Sequence, residues 1–181
     1  MPIDLTTRSY EPELMDDLES SGEIIEQTLR ELDTVNRLLG GNQVSIEGLG
    51  ELLANYDGQT ITLADLGCGG GDILILMAKW ARKKGVDLKL IGIDANPNII
   101  DYARQNCAAY PEISFQVADI FSSNFQRQQF DIIHSSLFTH HFTDEELIQL
   151  FTQFKKQVRI GVVNNDLHRH WFAYHSIKIL T

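Results

Sequence analysis

Residues 64–72 read Ala64-Asp65-Leu66-Gly67-Cys68-Gly69-Gly70-Gly71-Asp72. An apolar run, Ile61 to Leu66, leads into glycines at 67, 69 and 71, and a helical pattern starts at Asp72. Glycine permits a tight turn and a close approach of backbone to ligand. A helix beginning there points unpaired N–H groups into the same space. Alone, such a loop is also compatible with a strand-to-helix turn that holds nothing. Its spacing separates it from the dinucleotide fingerprint G-x-G-x-x-G, whose small residues leave room for a pyrophosphate. Here Asp72 stands at the position of the third fingerprint glycine. A carboxylate there suits a ligand without a pyrophosphate, and Asp65 adds negative charge for a zwitterionic or cationic ligand end.

Working outward, strands and helices alternate. Leu88 to Ile93, Ile113 to Ala118, Phe130 to Leu137 and Val158 to Val163 read as further strands. Asp72 to Lys84 is a helix with Ile73, Leu76, Met77 and Trp80 on one face. Pro97 opens a helix to about Ala109, at the first-turn position proline tolerates. Thr143-Asp144-Glu145-Glu146 is a helix start with an acidic first turn, followed by an apolar face of Leu147, Leu150, Phe151 and Phe154. Trp171 to Leu180 reads as a last helix. This alternation predicts an α/β fold, a mostly parallel, doubly wound sheet with helices on both faces. Ligands bind such sheets beyond the carboxyl ends of the strands, at the switch point.

Upstream, residues 11–56 read as helical and acidic. Ile24, Ile25, Leu29, Leu32, Val35, Leu38 and Leu39 recur at helical spacing, Gly40-Gly41-Asn42 stops that helix, and a second covers Ile46 to Tyr56. Asp57-Gly58 is a turn. The expected organisation is an N-terminal helical extension over 1–57, either a lid or edge packing, and a ligand-binding domain over 58–181.

Two more carboxylates fall at strand ends. Asp94 closes Ile91-Gly92-Ile93-Asp94, where an acid can accept both hydroxyls of a ribose; it could equally cap the next helix, although Asn96-Pro97 offers a better cap. Asp119 closes Val117-Ala118-Asp119-Ile120 and could hold an exocyclic amino group, with Ile120 and Phe121 as apolar neighbours. Taken alone, Asp119 is only a strand-end turn residue.

Asp65 to Asp72, Ile91 to Asp94, Ala118-Asp119-Ile120 and Phe130-Asp131-Ile132-Ile133 resemble, in this order, the motifs of class I S-adenosylmethionine-dependent methyltransferases. The resemblance covers roughly residues 60–170. It implies a Rossmann-like fold with S-adenosyl-L-methionine as cofactor and S-adenosyl-L-homocysteine as product. It also implies that Asp65, Gly67, Cys68, Gly69 and Gly71 hold the amino-acid end, Asp94 and Ala95 the ribose, and Asp119 and Ile120 the adenine, with Ser135 nearby on the fourth strand. Gly40-Gly41-Asn42 and Asn165-Asp166-Leu167-His168-Arg169-His170 are similar to bacterial quinone- and polyketide-type small-molecule methyltransferases. The family fold usually continues past the fifth strand with another strand pair. This sequence stops at Thr181, so those strands are expected to be absent, or the chain to be a fragment.

All six histidines follow residue 133. His134, His140, His141 and His168 are candidates to line an acceptor pocket, each with the alternative of a loop or helix-cap residue. His141 or His140 is the expected proton acceptor, because a histidine near its reference pKa of about 6.5 can take a proton from a phenol. Phe138 and Phe142 could sandwich a flat acceptor or belong to the core. Asp166, His168 and His170 could ligate a metal, but strand alternation would splay them, so none is expected.

The formal net charge of −10 disfavours nucleic acid, and Arg82-Lys83-Lys84 reads as a solvated helix end. Two cysteines make no disulfide framework. No signal peptide or membrane-length apolar run is visible, so the cytoplasm is expected. The leading expectation is methyl transfer to a small-molecule acceptor at oxygen, with a homodimer compatible. Rivals are a nucleotide-dependent oxidoreductase, a non-catalytic cofactor-binding protein, and a macromolecular methyltransferase. Against the last, His134-Ser135-Ser136-Leu137 stands where nucleic-acid amino methyltransferases carry an Asn- or Asp-Pro-Pro-aromatic motif.

Overall fold

The computed structural model describes residues 17–18, 20–38 and 40–166. Five parallel strands, β1 (Ile61–Leu66), β2 (Leu88–Asp94), β3 (Ile113–Val117), β4 (Phe130–Ser136) and β5 (Val158–Asn165), form one sheet in the order β3-β2-β1-β4-β5. The order reverses between β1 and β4, and the loops following these two strands diverge there. This is the expected doubly wound, Rossmann-like architecture.

Helices lie on both faces because alternate strand residues point to opposite sides. Leu63, Leu90 and Ile132 pack under α2 (Gly41–Leu52) and α3 (Asp72–Lys84), whose Leu49, Leu74 and Met77 are fully buried. Ala64, Leu66, Ile93 and Ile133 face the other side. There they meet Phe125 of the short α5 (Ser123–Gln126) and Leu150 and Phe154 of α6 (Asp144–Gln157). On the α2 and α3 side, α4 (Pro97–Asn106) buries Ile100 in the same core, and α1 (Glu23–Leu38) packs on α4 through Ile25, Leu29 and Ile99.

Several boundaries move. The second helix starts at Gly41 and ends at Leu52, five residues ahead of the expected Ile46 start, with Gly40 at φ 78° as its N-cap. Gly40 thus separates the two helices and opens the second. That helix lies close on β5: a Cβ on Gly48 would sit 2.9 Å from Val163, and one on Gly161 would sit 2.8 Å from Leu52. In α3 the buried stripe is Leu74, Met77, Ala78 and Ala81, with Ile73 and Trp80 at its margins; small alanines let the helix approach the sheet. In α6, Gln153 and Gln157 are buried and Phe151 is exposed. Gln153 Nε2 donates to Ile120 O at 3.0 Å and Gln157 Nε2 to Phe125 O at 2.7 Å, so the glutamines satisfy carbonyls that burial would otherwise strand. The start of α6 is as expected, a reciprocal capping box between Thr143 and Glu146. Ile24 is exposed, and Leu32 lies at the solvent edge of α1. Leu39, the helix expected over 171–180, and whatever follows Asp166 lie outside the described residues.

Candidate functional site

A cleft of about 700 Å³ opens at the carboxyl ends of β1, β2, β3 and β4. One wall is the loop after β1. Gly67 and Cys68 donate their N–H groups to Ile93 O at 2.9 and 3.1 Å, tying the loop to β2. Gly67 and Gly69 have φ of 66° and 49°, a region side chains disfavour. A Cβ on Gly67 would overlap the Phe138 ring. Gly69 faces the cleft with only Leu29 Cδ2 near a would-be Cβ, at 3.3 Å. The loop is therefore bare backbone where a ligand would approach.

Asp94 and Ala95 form the next part of the wall. Asp94 Oδ1 accepts from Asn96 N at 3.0 Å. Burial pushes the Asp94 carboxyl above the usual range, against the opposing pull of the Asn96, Gly69 and Ala95 N–H groups. Asn96 does cap α4, accepting from Asn98 N at 2.8 Å, as expected of Asn96-Pro97, which leaves Asp94 on the cleft wall. Asp119 accepts from Phe121 N at 2.8 Å and borders the cleft with Ile120 and Phe121.

Asp65, at the end of β1, is 1% exposed. Its Oδ1 lies 2.6 Å from His134 Nδ1, while its Oδ2 is buried with no hydrogen-bond partner among the described residues. Cys68 also lines the cleft, and burial pushes its thiol well up, so it is no nucleophile.

The opposite end of the cleft follows β4. Leu137 takes φ 50°, turning the chain into a 3₁₀ segment, Thr139–His141. His140 Nδ1–H donates to Asp166 Oδ1 at 2.6 Å, and its backbone N–H to Asp166 Oδ2 at 2.9 Å. Thr139 Oγ1 donates to Asp166 Oδ2 as well. A carboxylate on Nδ1–H fixes the tautomer whose lone pair is on Nε2. The His141 ring lies 4.2 Å from that of His140, and Phe138 and Phe142 meet edge to face at 5.0 Å. Both phenylalanines border the cleft and pack on the core beneath it.

Three expected placements change. Ser135 is fully buried and donates to Asn164 Oδ1 at 2.7 Å; its neighbour Ser136 lines the cleft instead. Gly71 does not border the cleft. It caps α3 at φ 79°, where a Cβ would strike Cys107 Sγ at 2.6 Å, so packing demands that glycine. His134 is 0% exposed and lies behind Asp65, not in the pocket. His168, His170 and His175 lie outside the described residues. Asn36, which the sequence did not single out, lines the cleft with Asn42 and Asn165 of the two runs similar to small-molecule methyltransferases, and Asn42 Nδ2 is buried there with no described partner. Asn36 stands in no motif, and it reaches the cleft through α1, as Asn42 does through α2 and Asn165 from the end of β5. Its carboxylates include Asp33, Asp65, Asp72, Asp94, Asp119 and Asp166, and no described lysine or arginine lines it.

A family model described as a methyltransferase domain matches residues 63–161. The chain belongs to this family. The methyltransferase domain is 27% identical over 149 residues to carboxy-S-adenosyl-L-methionine synthase of Campylobacter jejuni subsp. doylei, covering 82% of this chain and 57% of that protein. It is 28% identical over 113 residues to 2-phytyl-1,4-naphtoquinone methyltransferase of Trichormus variabilis, covering 60% and 47%. The chain thus spans about half the length of the curated relatives it matches. A putative S-adenosyl-L-methionine-dependent methyltransferase from Methanococcus maripaludis shares the fold, with a TM-score of 0.60 and 15% identity over 89% of this chain and 72% of that one. So does magnesium protoporphyrin IX methyltransferase from Synechocystis with bound S-adenosylmethionine, with a TM-score of 0.51 and 17% identity over 78% and 63%. Among the described residues, no helix is long and apolar enough to cross a membrane.

Proposed function

We propose that this methyltransferase domain binds S-adenosylmethionine and transfers its methyl group to the oxygen of a small-molecule acceptor, leaving S-adenosylhomocysteine. The observation that carries this reading is one cleft joining the glycine loop, Asp94 and Asp119 to the His140–Asp166 pair. When bound, the cofactor supplies an electrophilic methyl on a good leaving group. The chain's task is therefore chiefly to hold the acceptor in line. Gly69 leaves room for the amino-acid end, Asp94 accepts the ribose hydroxyls, and Asp119, Ile120 and Phe121 border the adenine. The unpartnered Oδ2 of Asp65 and the open space at Gly69 fit a ligand with a cationic amino group.

On the acceptor side, Phe138 and Phe142 offer faces to a flat ring. His140, oriented by Asp166, takes the hydroxyl proton as the C–O bond forms, and His141 is the alternative base. A charge of −10 supports a small molecule over nucleic acid. Two free cysteines, both buried, support a reducing compartment such as the cytoplasm.

Calorimetry with S-adenosylhomocysteine and NAD tests the cofactor; NAD binding without binding of the homocysteine product would overturn it. Turnover of phenols and quinols, followed by mass spectrometry, tests the acceptor. A second reading has the cofactor itself modified in the cleft. The match to Campylobacter jejuni carboxy-S-adenosyl-L-methionine synthase over 82% of this chain supports it. Mass spectra of reactions that also contain a small carboxylic acid as carboxyl donor decide, because a carboxylated sulfonium nucleoside would appear in place of methylated acceptor.

A further inference from the structure

Behind the glycine loop runs a chain of side chains whose two ends, Asn165 and Asp65, border the cleft and whose middle, Ser45 and His134, is fully buried. Asn165 Nδ2 on β5 donates to Gly41 O at 2.8 Å and to Ser45 Oγ at 3.2 Å. A carbonyl only accepts, so the Gly41 contact identifies the amide nitrogen. Ser45, on α2, is 0% exposed and lies 2.9 Å from His134 Nε2. Its oxygen already accepts from Asn165, which leaves the hydroxyl proton for Nε2. His134 Nδ1–H then donates to Asp65 Oδ1 at 2.6 Å. Every donor points the same way, from β5 through α2 and β4 to a carboxylate on β1.

The chain ends on an unmet acceptor. Asp65 is 1% exposed, borders the cleft, and its Oδ2 has no described partner. A buried carboxylate oxygen without a donor is costly unless a ligand supplies one. His134 occupies one oxygen and fixes the plane of the carboxylate. The other is left unmet on a residue that lines the cleft with Gly67 and Cys68.

We propose that His134 is a positioning residue for the cofactor's cationic amino-acid end, acting through Asp65, and that Ser45 makes α2 part of the same site. The proposal rests on the cofactor reading above. Its chemistry is selective. Asp65 reads the ammonium group, so loosening it matters only to ligands that carry one. His134 touches no ligand itself.

The test compares S-adenosylhomocysteine with 5′-methylthioadenosine, which keeps adenine, ribose and thioether but lacks the amino-acid end. In His134→Phe, which keeps a ring and removes both nitrogens, S-adenosylhomocysteine affinity is expected to fall about tenfold or more. Methylthioadenosine affinity should stay within about twofold. His134→Gln, which keeps one donor towards Asp65, should recover part of the loss. Ser45→Ala, the mildest break, should lose about threefold with the same selectivity. If His134→Phe does not fold by circular dichroism, Ser45→Ala and His134→Gln carry the comparison. Parallel losses for both ligands would mean that His134 only packs, and an unchanged homocysteine affinity would remove it from the site; either overturns the proposal. Wild-type protein that binds both ligands equally also overturns it while the cofactor reading stands. Wild-type protein that binds neither would sink that reading and this one together.

Discussion

Replacing Gly69 by alanine separates a ligand cradle from a mere turn. Gly69 has φ 49°, where a side chain costs about 1–2 kcal/mol. The added Cβ would meet only Leu29 Cδ2, at 3.3 Å, the movable end of a side chain. Stability should therefore fall by little more than the backbone strain. For a chain of this size that corresponds to a drop in melting temperature of about 2–8 °C. The new methyl group enters the cleft, however, where overpacking costs about 1–3 kcal/mol, or roughly five- to 150-fold in affinity. Gly58 supplies the control: its φ is 87° and nothing lies within 4 Å of a would-be Cβ. Gly58→Ala should melt lower by a similar amount and bind S-adenosylhomocysteine as the parent does. Thermal melts and calorimetry on both variants make the comparison. If Gly69→Ala melts lower yet binds normally, the loop is a turn and the cradle argument is wrong.

Asp94 should make cofactor binding acid-sensitive. Its carboxyl is raised by burial, so the folded protein takes up that proton above the unfolded value of about 3.9. The contribution to stability is thus full below that value and lost as pH rises through the folded one. Affinity runs the other way, because ribose hydroxyls need the ionised form. Calorimetry as pH falls from 7 towards the unfolded value of about 3.9 should show weakening that sets in above that value, and Asp94→Asn should remove most of that slope and cost about 1–3 kcal/mol at pH 7. With an acceptor in hand, His140→Ala should lower turnover by about 10²–10⁴; full turnover of both His140→Ala and His141→Ala across the histidine range would remove both as bases. Gly92→Ala would place a Cβ 2.6 Å from Phe115 and 2.9 Å from Leu74, and denaturant melts should show a loss of about 1–3 kcal/mol. Burial pushes the Cys107 thiol up to about 12 and Cys68 well up, so a disulfide reagent should label neither until the chain is unfolded.

The sheet and the cleft floor were legible because their signals are local. A glycine loop between a strand and a helix, and acids at two strand ends, need only neighbours in sequence. The parity of β4 was not legible. It is buried on both faces, so no polar alternation marks which of Ser135 and Ser136 turns to the cleft. His134 looked like a pocket residue for the same reason. Its partners, Ser45 and Asp65, stand 89 and 69 positions away and are brought to it only by folding. Gln153 and Gln157 broke the apolar pattern of α6 because the carbonyls they serve belong to another segment.

The acidic wall of the cleft has a consequence for turnover. Crowding is already felt there: burial is the main cause that lifts Asp72 and Asp94, and Asp33 and Asp65 add to it by repulsion. A cation between these carboxylates relieves that repulsion, and a neutral molecule does not. On the proposed reaction, the sulfonium enters with its positive charge and the thioether leaves without it. Transfer of the methyl group thus discharges the ligand inside a negatively charged cleft. The wall that recruits the substrate form keeps the product by its ammonium and ribose but without the sulfonium's attraction, so the chemistry itself removes one of the contacts that oppose exchange of spent cofactor for fresh.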